Sequence, residues 1–123
     1  MSSITSFKPY HVYTLRTPMQ TPGGTITRVL LLTNSKDANY ARQPTVSIIP
    51  LVDSPREKTG PLTVLLKGSV AGGAFGDVHN ALYANVGAIF PTPKANLILG
   101  SAAPIRRVEV AVIKERVRAY LAL

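Results

Sequence analysis

The chain has 123 residues and 46% hydrophobic content, which fits one domain over residues 1–123 with a core large enough to need no covalent staples. Zero cysteines exclude a disulfide scaffold, a thiol nucleophile and any Cys-based zinc or iron–sulfur site. Fourteen Lys and Arg against six acids give a net charge of +8, which favours a polyanionic partner such as RNA, DNA or an acidic protein. The cations are spread from Lys8 to Arg118, so any basic patch has to be assembled by folding. No apolar run approaches the ~18 residues that span a bilayer, and residues 1–9 lack the apolar core of a secretory signal. The expectation is a cytoplasmic protein without membrane contact.

Residues 11–15, His-Val-Tyr-Thr-Leu, alternate and are rich in β-formers, which predicts a first strand. Two prolines and two glycines within residues 16–24 predict a mobile loop. The apolar run at 28–33, Arg-Val-Leu-Leu-Leu-Thr, predicts a central strand covered on both faces. The polar stretch 34–43 reads as a turn or short helix, and 45–51 as the next strand, with Pro50 near its end. A charged, proline-broken loop at 53–61 leads to a strand at 62–66. The glycine-rich stretch 68–76 follows, then a mainly apolar stretch 78–89 in which 81–86 reads as a strand.

The C-terminus changes period. Pro104 stands where a first helical position tolerates proline. Beyond it Ile105, Val108, Val112, Arg116 and Tyr120 follow one stripe, and Val110, Ile113, Val117 and Leu121 the adjacent one. Arg107, Lys114 and Arg118 lie opposite, which predicts a terminal amphipathic helix. No internal repeat or long linker divides the chain, so the fold class is mainly β (α+β) with a closing helix.

Few motifs carry chemistry. The stretch 68–76 lacks the Gly-Lys-Ser/Thr ending of a phosphate loop. Gly73-Ala74-Phe75-Gly76 has the shape of a Gly-x-x-Gly RNA clamp, but that module needs flanking helices where this chain reads as strands. Asp77 and His79 would share one strand face as a two-ligand start, yet His11 is the other histidine and the acids are scattered; no metal and no cofactor is expected. A nucleophile-elbow sequence is missing. Arg28 stands out. It opens an apolar strand at the rim of the sheet, close to Gly23-Gly24, where a fixed guanidinium can grip a phosphate at two points.

In order along the chain, several segments resemble the MazF/PemK (Kid-like) family, toxins of bacterial toxin–antitoxin pairs. Phe7-Lys8-Pro9-Tyr10-His11-Val12-Tyr13 resembles the family's opening strand, and the run from Gly24 through Arg28 to Asn34 its Gly-x-Arg-Pro strand. Val46-Ser47-Ile48-Ile49-Pro50-Leu51 resembles the strand ending in Pro-Ile/Val-Thr-Ser, and residues 97–123 the C-terminal helix. The chain departs from the pattern at Tyr10-His11 for Gly-Asp, at Val29 for proline, at Val52 for a hydroxyl residue and at Gly87 for a cation.

The resemblance implies a small SH3-like, barrel-like antiparallel sheet, a homodimer, metal-independent cleavage of single-stranded RNA, and an antitoxin partner whose acidic tail covers the RNA groove. It makes Arg28 catalytic or phosphate-stabilising. Such cleavage needs a base for the 2′-hydroxyl, a cation on the phosphate oxygens and an acid for the leaving oxygen. His11 is the first acid–base candidate and His79 the second, since an imidazole titrates near neutrality. Arg16, Lys67 and His79 are RNA-binding candidates, and Tyr10, Tyr13 and Tyr83 are candidates for stacking unpaired bases. Tyr40 and Tyr120 are expected to anchor packing. Two other readings stay open: a catalytically degenerate module that binds nucleic acid or an acidic protein, and a structural assembly subunit.

Overall fold

Two long strands, β1 (His11–Thr21) and β2 (Gly24–Leu31), form a hairpin that organises the sheet. The computed structural model of the chain describes residues 6–21, 24–52, 62–66 and 82–121. The expected loop at 53–61, the glycine-rich stretch 68–76, Lys67 and His79 lie outside the described residues. The loop expected at 16–24 is instead largely strand: Met19, Gln20 and Thr21 pair with Ile26, Thr25 and Gly24. Pro18 is accommodated because the register shifts between Thr14 and Met19, where a missing N–H disturbs no ladder bond. Gly24, with φ 126°, closes the hairpin in a conformation that side chains disfavour.

From β2 the chain passes through a four-residue helix, α1 (Ser35–Ala38), whose N-cap Asn34 accepts the Asp37 N–H at 2.9 Å. It then enters β3 (Thr45–Val52), antiparallel to β2 with Arg28 opposite Leu51 and Leu31 opposite Ile48. The other edge of β3 is shared. Its first half pairs with β6 (Phe90–Pro93) and its end with β5 (Leu82–Asn85), which in turn pairs with β4 (Thr63–Leu66). A two-residue strand, β7 (Ala103–Pro104), pairs with His11 and Val12. The result is an antiparallel sheet curled into a half-barrel. Residues 94–98 run along the outer edge of β1, through the Leu15–Leu97 bridge and the Ile98 N–H on the Thr14 carbonyl at 2.9 Å.

Both faces of the sheet are buried, as the apolar run in β2 predicts. Tyr13, Leu15, Ile26, Val29, Leu31, Val46, Ile48 and Leu97 form one cluster, sealed by Ala38 of α1. Val12, Leu30, Ile49, Leu51, Val64 and Leu66 join a second on the opposite face. The C-terminal helix α2 (Arg107–Leu121) inserts the fully buried Ile113 into that second cluster, and Val110, Val112, Val117 and Tyr120 pack against it. The contact face is narrower than the predicted stripes, since Val108 and Leu121 are 59% and 66% exposed. Pro104 does not open the helix; it lies in β7. The N-terminus is closed instead by Glu109, which accepts the Arg106 N–H at 3.0 Å and pairs with the Arg106 guanidinium at 2.8 Å. These charge-assisted bonds make burial of the carboxylate tolerable. No helix among the described residues is long and apolar enough to cross a membrane.

Ile113→Ala is expected to cost about 2–5 kcal/mol through the cavity it leaves, and Val108→Ala to stay within about 0.5 kcal/mol. Urea denaturation measures both, and equal losses would contradict this placement of the helix.

Candidate functional site

The register of the hairpin decides which polar side chains meet. Thr14 lies directly opposite Arg28, so the two share a face with Cβ atoms about 5 Å apart. That face also carries Val12, Leu30 and Leu51 of the α2-covered cluster, and Arg28 is half-buried at its margin. No described acid pairs with Arg28, whereas Arg106 pairs with Glu109. Leu15 enters the opposite cluster, and beyond it, where the register of β1 shifts, Arg16 is exposed. The Arg16 Nε–H donates to the Ala95 carbonyl at 3.2 Å.

The backbone beneath this group is held on its outer edge. The Thr14 N–H donates to Ser101 Oγ at 2.8 Å, while Ser101 Oγ–H donates to the Ile98 carbonyl at 2.6 Å. Asn96 accepts the Thr17 N–H at 2.8 Å and donates to the Thr17 carbonyl at 3.1 Å, replacing a strand partner with one amide side chain. A guanidinium across from a hydroxyl on a braced strand, with the exposed Arg16 two residues further along, is an arrangement suited to phosphate oxygens.

The other residues singled out from the sequence do not join it. His11 is three residues from Thr14, which puts it on the opposite face and about 10 Å along the strand. Its Nδ1 lies 3.0 Å from the Pro9 carbonyl, and since a carbonyl only accepts, Nδ1–H is the donor of that bond. Tyr13 is 0% exposed, tilted against Phe7 with ring centroids 5.6 Å apart, and its hydroxyl accepts the Lys8 N–H at 2.9 Å. Its ring is a core anchor with no face left for a base. Tyr83 pairs with Val52 and Leu65 and faces away from the Arg28 side.

Tyr10 is half-buried in a left-handed conformation, φ 59°, with the Lys114 ammonium 5.3 Å from its ring centroid. Tyr40, expected to anchor packing, is 55% exposed because the turn after α1 carries it outward. Tyr120 does pack, and its hydroxyl reaches the Gly87 carbonyl at 3.4 Å. A Cβ at Gly87 would meet Leu62 Cδ1 at 3.0 Å and Asn85 Oδ1 at 3.3 Å, so the cation that the family pattern places there would need the Leu62 side chain to give way by a few tenths of an ångström. Thr14 escapes a sequence reading because its importance lies in a cross-strand partner fourteen residues away.

No family model matches the chain, and no curated protein matches it in sequence. Its fold is similar to that of an endoribonuclease from a mycobacterial species solved in complex with its cognate antitoxin, with a TM-score of 0.67 and 18% identity over 96% of this chain and 97% of that one. A second mycobacterial endoribonuclease structure has a TM-score of 0.65 and 15% identity, covering 96% of this chain and 93% of that one.

Burial raises the Tyr13 phenol above its usual 10.0, with the Lys8 N–H partly opposing the shift. Folding therefore holds this proton more tightly than the unfolded chain does. The stability this contributes is complete below pH 10 and is lost as pH rises through the raised value. Tyr13→Phe should show a shallower alkaline loss than wild type in chemical denaturation above pH 10, although it forfeits about 1 kcal/mol at neutral pH. Parallel slopes would refute it.

Proposed function

We propose that this protein is a toxin-like endoribonuclease, cleaving single-stranded RNA without a metal as a homodimer and neutralised by an antitoxin with an acidic tail. The observation that carries the reading is the likeness of nearly the whole chain to two endoribonucleases, one of them bound to its antitoxin. The braced Arg28–Thr14–Arg16 group gives it a chemical basis. The RNA 2′-oxygen attacks the adjacent phosphorus, the bond to the 5′-oxygen breaks, and the products are a 2′,3′-cyclic phosphate and a 5′-hydroxyl. Arg28 stabilises the charge that grows on the non-bridging oxygens, and the Thr14 hydroxyl donates to one of them. Arg16 holds a neighbouring phosphate.

The proton of the 2′-hydroxyl leaves and the departing 5′-oxygen gains one. His11, on the other face, has no part in that exchange; His79 remains the acid–base candidate. A binding module that does not cleave is the second reading, favoured by this separation of His11 from Arg28. In either case the same cations suit an acidic antitoxin segment.

Incubating the protein with a long single-stranded RNA in EDTA tests the proposal. Discrete fragments with cyclic-phosphate ends are expected from wild type, with at least a hundredfold slower cleavage by Arg28→Ala. Arg28→Lys should rescue little of it, because an ammonium cannot grip two oxygens in the plane of a guanidinium. Intact RNA with wild type would overturn cleavage, and a gel shift that fades steeply with salt would then establish the binding module.

A further inference from the structure

The 3-10 turn Lys94–Asn96 connects Arg16 to an exposed aromatic side chain. At one residue of the turn the Ala95 carbonyl holds the Arg16 guanidinium, and at the residue before it the Lys94 ammonium donates to the Tyr40 carbonyl at 2.9 Å. Adjacent residues, with Cα atoms about 3.8 Å apart, thus tie Arg16 and Tyr40 to one small turn. Tyr40 is also fixed from its own side. Its N–H donates to the Asp37 carbonyl at 3.2 Å, and its carbonyl accepts the Gln43 N–H at 3.0 Å. A large ring that joins neither core cluster is therefore presented to solvent on a backbone pinned by three hydrogen bonds, beside an ammonium.

We propose that Tyr40 and Lys94 form a nucleotide subsite at the end of a track running from Arg28 past Thr14 and Arg16, with a base stacked on the Tyr40 ring and the intervening phosphates on Arg16 and Lys94. The inference rests on the single-stranded RNA reading above. A single exposed tyrosine is ordinary on a protein surface; the pinned backbone and the two cations, Arg16 and Lys94, held at neighbouring residues of the turn beside it are what distinguish this one. Stacking on an aromatic face is open to every base, so the subsite gives affinity and a minimum length of RNA rather than a sequence preference. A strand that follows these contacts from Arg28 through Arg16 and Lys94 to Tyr40 is expected to need more than a dinucleotide.

The test uses fluorescein-labelled 2′-O-methyl RNA, which lacks the attacking hydroxyl and stays intact, as a dinucleotide and as a nonamer, in fluorescence anisotropy at fixed salt. Tyr40→Ala is expected to weaken the nonamer about tenfold and leave the dinucleotide unchanged, while Tyr40→Phe, which keeps the π-face, binds both like wild type. Arg28→Ala should weaken both oligonucleotides. Circular-dichroism melts that match wild type confirm that the variants are folded. A Tyr40→Ala nonamer affinity within twofold of wild type, with Arg28→Ala still weakened, would overturn the subsite alone. A wild-type protein that binds neither oligonucleotide would overturn the RNA reading together with it.

Discussion

The two-residue period of β1 against β2 is the constraint from which the rest of the structure follows. In the paired half of this hairpin, residues 12–15 and 28–31, both faces carry buried side chains, Tyr13, Val29 and Leu31 in one cluster and Val12 and Leu30 in the other with Leu51 of β3. A slip of one residue would drive Arg28 into the first cluster and expel Val29 from it. The several apolar side chains that would change sides make that register costly. Arg28 thus reaches its place opposite Thr14 through the burial of its neighbours, and its own contacts contribute little.

The outer edge of β1 adds the second element of order. In place of a long partner strand it meets a succession of short devices: the β7 pair, the Ser101 hydroxyl, the Ile98 amide, the Leu97 bridge and the Asn96 side chain. Together they satisfy the strand's backbone groups and brace the residues that carry Thr14 and Arg16. Rigidity of this kind would lower the ordering cost of binding the proposed RNA. Meanwhile α2 covers one side of the sheet towards β4 and the turn at Val86–Ala88, and leaves the margin around Arg28 half-open. Net charge, register and coverage converge at that margin.

Much of the fold was legible from pattern. The runs at 28–33 and 45–51, the short polar helix region, the strands near 62–66 and 81–86 and the terminal helix all have counterparts in the structure. Prolines account for the failures. Pro18 and the glycines that follow it read as a loop because breakers dominate a local window, yet the strand absorbs Pro18 where its register shifts. β6 reads Phe-Pro-Thr-Pro and shows no strand signal at all; it forms because β3 offers an open edge and Thr92 fits into the interior at 1% exposure. Pro104 has the local character of a helix start, while the Glu109 carboxylate sets the true start three residues later.

The site divides along a similar line. That Arg28 opens an apolar strand, that the chain is strongly basic and that Arg16 lies near a turn-rich segment are facts of sequence, and they are the grounds on which an anion-binding surface is expected there. Which histidine or tyrosine accompanies Arg28 is a matter of strand parity and of long-range pairing. His11 and Thr14 differ by three positions, an odd number, and so part to opposite faces; Tyr13 is drawn into the core and Tyr40 is carried out of it. Composition and period determine which elements form, because these are local and averaged over many residues. The company each polar side chain keeps depends on cross-strand register and on contacts between residues as distant as Thr14 and Ser101, and only the folded chain decides those.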